Sequence, residues 1–299
     1  MFSYRHGFHA GNHADVFKHT VLLAILRHLT LKEIALHVFD THAGAGLYRF
    51  DSEQARTSAE AAQGILLLID QIAKARPKVI LAPAVQDYLA AVKSFNPDGG
   101  WIYYPGSPFL IFRELRERDR LKLFELHPTE IRALSTNVAQ LGAGRQVSVL
   151  GEDGFEGLRK FLPPPSRRGF VVCDPSYELK TDYVKVMQMM TDAIGRFATG
   201  TYFVWYPILA RHDAQELPRK LWNLAQRSRK PWLNATLRVK ASRAPRGADA
   251  AGAEGLAASG LFVINPPYTL AASLQEVLPQ LVHFLGQDEA AQWALDFRQ

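Results

Sequence analysis

The stretch Gly169-Phe170-Val171-Val172-Cys173-Asp174-Pro175-Ser176-Tyr177 decides the fold. An unbroken apolar run that halts at an acidic residue and a proline predicts a strand buried on both faces and ending in a turn. A second run, residues 34–40 (Ile-Ala-Leu-His-Val-Phe-Asp), predicts the first parallel strand, and it opens into Thr41-His42-Ala43-Gly44-Ala45-Gly46. A buried strand that feeds a glycine-rich turn is how an α/β protein builds a nucleotide-shaped cleft at the carboxyl edge of its sheet.

Outward from these two runs the chain keeps an α/β rhythm. Apolar residues from Ala14 to Leu31 (Val16, Phe17, Val21, Leu22, Ile25, Leu26, Leu29) fall at helical spacing. The next parallel strand is Leu121–Glu125, about 85 residues after the first, where an uninterrupted unit needs roughly 20. The excess reads as an insertion, helical over Ala59–Ala75 and Ala84–Phe95 and closed by the turn Asn96-Pro97-Asp98-Gly99-Gly100. This divides the chain into a main domain, residues 1–52 and 101–299, and a helical insertion subdomain, residues 53–100. Tyr103-Tyr104-Pro105-Gly106-Ser107-Pro108 re-enters the main domain, and a helix follows over Phe109–Arg118. Then come a helix over Pro128–Leu141, a strand over Gln146–Leu150, a short helix over Phe155–Phe161, the strand Phe170–Cys173, a helix over Tyr183–Arg196 and a strand over Thr201–Tyr206. Alternation of this kind means a parallel sheet with helices on both faces. Ala235–Ala241 and Gly260–Asn265, joined without a helix, predict an antiparallel pair. The expected fold class is α/β, with five parallel strands plus a terminal antiparallel hairpin.

Composition narrows the class. Hydrophobic residues make up 47% of the 299, enough to bury a sizeable core. No apolar run approaches the ~18 residues that span a bilayer, and the amino terminus lacks a signal-peptide layout. The one cysteine, Cys173, excludes an internal disulfide, so a cytoplasmic protein with no membrane partner is expected. The net charge of +6 suits a nucleic-acid partner without requiring one.

The chemistry-bearing residues each have a plain and a functional reading. Gly44 and Gly46 serve an ordinary turn, or they let the backbone approach a cofactor. An acidic residue at a strand end is usually just solvated. Asp40, Glu125 and Asp153 end three consecutive strands, however, where carboxylates can accept ribose hydroxyls (Glu125) and an adenine amino group (Asp153). Asp174-Pro175-Ser176-Tyr177 is a turn after a strand, or an amine-methylating site. In the second case the Asp174 carboxylate and Pro175 carbonyl accept the two N–H groups of an exocyclic amine, Asp174 takes the released proton, and Tyr177 stacks on a flipped base. Seven of the ten histidines precede residue 43. Gly7 and Gly11 disfavour a helix that would align His9 with His13, so no metal site is expected. The cluster of His6, His9, His13 and His19 with Tyr4, Arg5, Asn12, Asp15 and Lys18 better suits contact with phosphates, a base or a cofactor.

With these residues placed, the chain resembles the bacterial RlmJ family of 23S ribosomal RNA adenine-N6 methyltransferases over nearly its whole length. The resemblance is most specific at Tyr4-Arg5-His6 and His9 through His19. It continues at Asp40 through Gly46, Tyr104 through Pro108, Glu125-Leu126-His127-Pro128, Asp153-Gly154 and Asp174 through Tyr177. It implies a monomeric class I methyltransferase with a Rossmann-like sheet and a small helical insertion, acting on one adenine of 23S rRNA and preferring RNA free of ribosomal protein. It implies S-adenosylmethionine held by His19, His42, Ser107, Glu125, Asp153, Gly154 and Asp174, with the glycine turn of Gly44 and Gly46. It also implies a catalytic Asp174 with Pro175 and Tyr177, a substrate contact at Tyr4 beside Arg5 and His6, and Lys18 in support. The family has a second proline where this chain has Ser176.

Two other readings stay open on the residues. One is an adenine-N6 methyltransferase of DNA. The other is a non-enzymatic nucleic-acid-binding protein in the use of external DNA, which predicts no cofactor binding. The chain also offers Asn265-Pro266-Pro267-Tyr268, a closer letter-for-letter match to the family signature. Its strand is expected to run antiparallel, which would put Asn265 at the opposite edge of the sheet, as a turn only.

Overall fold

The structure, a computed structural model, describes residues 6–75, 77, 79–242 and 255–299. Its strands are β1 (His37–Asp40), β2 (Leu47–Arg49), β3 (Tyr103–Pro105), β4 (Arg120–Phe124), β5 (Val147–Leu150), β6 (Gly169–Cys173), β7 (Thr201–Pro207), β8 (Trp232–Arg238), β9 (Ala258–Ile264) and β10 (Gln292–Arg298). Its helices are α1 (His13–Thr30), α2 (Glu53–Ser58), α3 (Ile65–Lys74), α4 (Pro83–Ser94), α5 (Ser107–Glu114), α6 (Pro128–Ala139), α7 (Gly154–Gly157), α8 (Lys180–Arg196), α9 (His212–Arg227) and α10 (Leu270–Leu285).

Eight strands form one sheet in the order β10-β8-β9-β7-β6-β1-β4-β5. The five from β5 to β7 are parallel, and β9 pairs antiparallel with both β7 and β8. This is the class I methyltransferase arrangement. The expected hairpin is present as the β8–β9 pair, with β9 slotted against β7 and β10 added antiparallel outside β8. The alternation of Trp293, Leu295 and Phe297 in β10 was the available signal for that extra strand.

Period-two burial divides the core. Val38, Phe170 and Val172 face the side packed by α1, α4 and α10, while Phe39, Val171 and Cys173 face the side packed by α8 and α9. Helix α1 is buried along most of its length, and its first two turns bury His13, Asp15, Lys18, His19 and Thr20 together with the apolar residues. The helix expected over Ala59–Ala75 is broken at Gly64 into a 3₁₀ turn over Glu60–Gln63 and α3, while α2 precedes it and ends at the left-handed Ala59 (φ 52°). Leu68, Val85 and Tyr88 from this region share the core of α1.

The small ribbon β2–β3 brings the two ends of the stretch between Arg49 and Tyr103 together, pairing Leu47 with Pro105. The Gly106 N–H then donates to the Gly46 carbonyl at 2.8 Å. That clasp delivers Ser107, the first residue of α5, to the end of β1. Among the described residues no helix is long and apolar enough to cross a membrane.

Candidate active site

Strand β1 has β4 on one side and β6 on the other, so the strand order reverses there. Open α/β sheets bind ligands outside the carboxyl ends of such strands. A cleft lies at that point, lined by Lys18, His42, Glu125, Asp153, Phe155 and Asp174 among others.

The glycine turn is built from backbone bonds to both neighbouring strands. Thr41 N–H donates to the Val172 carbonyl at 3.0 Å, and Ala43 N–H to the Phe124 carbonyl at 2.9 Å. Gly44 N–H donates to Glu125 Oε2 at 2.8 Å, and His127 N–H to Glu125 Oε1 at 2.7 Å. Gly44 (φ 58°) and Gly46 (φ 77°) are left-handed, and a Cβ on Gly44 would come within 2.4 Å of the Tyr48 hydroxyl. Gly44 lines the cleft, whereas Gly46 turns toward Leu134 and Phe109 and shapes the loop from behind. Gly154 is required by close approach, because its Cβ would lie 2.0 Å from the Thr41 carbonyl oxygen.

The acidic strand ends meet in the cleft with different partners. Asp153 caps α7 by accepting the Phe155 N–H at 2.9 Å and lies 3.3 Å from Lys185 Nζ. Burial pushes the Glu125 carboxyl above its ordinary range. The acceptors at Glu125 and Asp153, with Leu126 and Phe155 as apolar walls, suit the ribose and base of a nucleoside. His42 lies edge-on to Phe155 at 4.6 Å, and burial lowers its pKa to about 4 against the pull of Asp153. His19 is likewise lowered by burial, to about 3, and its Nδ1 meets the Tyr104 hydroxyl at 2.8 Å.

Asp40 is fully buried and accepts the Ser107 hydroxyl at 2.7 Å. Burial raises its pKa to about 6. A carboxyl whose folded pKa exceeds its unfolded value keeps a proton that the unfolded chain has lost. Stability therefore falls as pH rises from about 4 to about 6, by ~3 kcal/mol at most. Asp40→Asn accordingly gains melting temperature relative to the parent between about pH 5 and about pH 8, in thermal melts without cofactor. An unchanged difference would show that the carboxyl ionises freely.

Asp174, at the end of β6, is bonded to the Lys18 ammonium, and Lys18 Nζ also lies 2.8 Å from Asp15 Oδ1. Burial alone would lower the Lys18 pKa, but Asp15 and Asp174 outweigh it and hold the ammonium above its ordinary value. Pro175 and Ser176 line the cleft beside Asp174. Tyr177 does not follow them. It is 2% exposed, its φ is 54°, and its hydroxyl donates to the Trp205 carbonyl at 2.6 Å. Its ring packs 4.7 Å from Tyr183 in the core, so here it offers no face to a base, unlike the expected stacking role. Tyr177→Leu should lower the melting temperature while leaving the substrate KM unchanged. A stacking residue would show the opposite split.

His6 reaches the cleft, with its Nε2 at 2.9 Å from Asp15 Oδ2. Tyr4 and Arg5 lie outside the described residues. His9 pairs instead with Glu60, at 3.0 Å. Asn265 is remote from all of these. Its carbonyl accepts the Thr201 hydroxyl at the opposite end of β7, its side chain donates to the Ala198 and Gly200 carbonyls, and its φ is 52°. Tyr48, Phe155 and Lys185 are cleft residues that sequence reasoning missed, because nothing local marks them.

The family model described as "Ribosomal RNA large subunit methyltransferase D, RlmJ" matches residues 33–298. The chain is 38% identical to the ribosomal RNA large subunit methyltransferase J of Haemophilus influenzae, over 99% of each chain. It is 40% identical to the protein of the same name in Escherichia coli, over 94% of this chain and 93% of that one. A crystal structure of a Legionella pneumophila protein superposes with a TM-score of 0.82 at 31% identity, covering 96% of this chain and 98% of the other. The chain therefore belongs to the RlmJ family of large-subunit ribosomal RNA methyltransferases.

Proposed function

We propose that the protein methylates the N6 amino group of an adenine in 23S ribosomal RNA, with S-adenosylmethionine as donor. The observation that carries the reading is the position of Asp174 and Pro175 on the same cleft as the glycine turn and Glu125. The cofactor, when bound, supplies an electrophilic methyl group. Glu125 would accept its ribose hydroxyls, Asp153 its adenine amino group, and the Gly44 turn would face its chain.

The target amine is a poor nucleophile because its lone pair is delocalised into the ring. The Asp174 carboxylate and the Pro175 carbonyl would accept its two N–H groups. Those bonds favour a tetrahedral nitrogen with the lone pair aimed at the methyl. Asp174 then takes the proton released. Lys18 fixes the carboxylate for both tasks.

The test is methylation of protein-free 23S rRNA, and of DNA of matched sequence, followed by sequencing-based mapping of N6-methyladenine. One modified adenine in RNA is expected. Modification of DNA alone would select the DNA enzyme. No S-adenosylmethionine binding in calorimetry would select the non-enzymatic binding protein.

A further inference from the structure

We propose that Asp15 is a positioning residue of this site, joining the N-terminal segment to the carboxylate that meets the target amine. The inference rests on the assignment of Asp174 proposed above. Asp15 is 1% exposed and sits in the first turn of α1. Its Oδ1 holds Lys18 Nζ at 2.8 Å. Its Oδ2 accepts His6 Nε2 and the Gly11 N–H, each at 2.9 Å. The Asp15 N–H is itself fixed by the Asn12 side chain at 2.9 Å.

A carboxylate this deeply buried is costly unless every partner is in place, and an apolar side chain would serve stability as well or better. The partners of Asp15 explain its presence differently. Lys18 lies one turn further along the same helix face, and its ammonium bonds Asp174. A lysine stem is flexible and its charge is a point, so one partner does not fix its direction. Asp15 supplies the second anchor. With it, the ammonium is stretched between two carboxylates and Asp174 is aimed into the cleft. Without it, the ammonium is free to swing and Asp174 loses its bearing.

The other oxygen gives the network a second consequence. His6 belongs to the 3₁₀ turn His6–Phe8 at the mouth of the cleft, and Gly11 ends the loop behind it. The seating of this segment and the aim of Asp174 thus depend on one carboxylate. Burial opposes ionisation of Asp15, but His6 and Lys18 outweigh it and hold the group well below the usual carboxylate range.

The decisive variant is Asp15→Asn, which keeps the size but places an NH₂ against either the Lys18 ammonium or the donors of His6 and Gly11. The expected result is a kcat lower by about 10–100-fold, with S-adenosylmethionine affinity held within about threefold. The Asp15→Asn/Lys18→Met double variant should be no slower than Lys18→Met alone, because residues acting as a unit are not additive. In ¹⁵N-lysine NMR the Lys18 ammonium signal, sharp in the parent, should broaden or vanish.

Unchanged kcat, or losses that multiply in the double variant, would overturn the proposal. Should Asp15→Asn not fold, His6→Ala removes one bond to the same carboxylate. It should broaden the Lys18 signal, and no change there counts equally against the proposal. A parent protein that fails to methylate RNA would refute the functional reading instead, whereas the ammonium signal reports on Asp15 in either case.

Discussion

Asp174→Ala is expected to lower the methylation rate by about 10²–10³, the loss typical of one aligned transition-state partner. Its effect on cofactor affinity and melting temperature should be much smaller. The residue sits at the carboxyl end of β6, beside the turn that follows β1, and its carboxylate is held by Lys18. Asn265→Ala is the control and should reverse the pattern. Asn265 follows β9, which runs antiparallel to β7, so it lies at the amino edge of the parallel strands. Alanine there loses two hydrogen bonds to the Ala198 and Gly200 carbonyls and must hold a left-handed conformation. Stability should fall by roughly 1–3 kcal/mol while the rate is retained. A rate loss at Asn265, with activity kept at Asp174, would overturn the proposed site.

Glu125→Ala is expected to weaken S-adenosylmethionine binding by about ten- to a hundredfold, measured by calorimetry. A charge-assisted hydrogen bond of this kind contributes roughly 1.5–3 kcal/mol. The structure adds a second reason. Glu125 already accepts the N–H groups of Gly44 and His127, so it organises the walls on both sides of the proposed ribose position. Alanine removes both bonds at once. Glu125→Gln keeps one acceptor oxygen and should lose less. Equal loss in the two variants would mean that charge alone matters, and unchanged affinity in a folded Ala variant would refute the assignment.

The strand ends Asp40, Glu125, Asp153 and Asp174 were legible because an apolar run that stops at a turn is a local signal. The direction of β9 was legible because the Ala- and Gly-rich sequence before it carries no helical apolar pattern, which favours an antiparallel pair over a crossover. Two features were not. The slot of β9 between β7 and β8 depends on non-local pairing, which sequence spacing does not encode. The inward turn of Tyr177 depends on a left-handed backbone and on the Trp205 carbonyl, which tertiary packing supplies. The Asp15 network was half legible. An acidic and a basic residue three apart, inside an apolar helical pattern, mark a buried charge pair, but the ties to His6 and Asp174 come from distant parts of the chain.

The place of β9 also governs how the chain emerges during synthesis. β7 is complete at Pro207, but the strand that covers its outer edge begins only at Ala258. At the ~5–20 residues per second of translation, that edge waits roughly 3–10 s for its partner. It is apolar, with Tyr202, Phe203 and Val204 fully buried once paired. An open edge of this kind is a template for pairing with another nascent chain. Ribosomes stalled between β8 and β9 would therefore release the most aggregation-prone fragments of this protein.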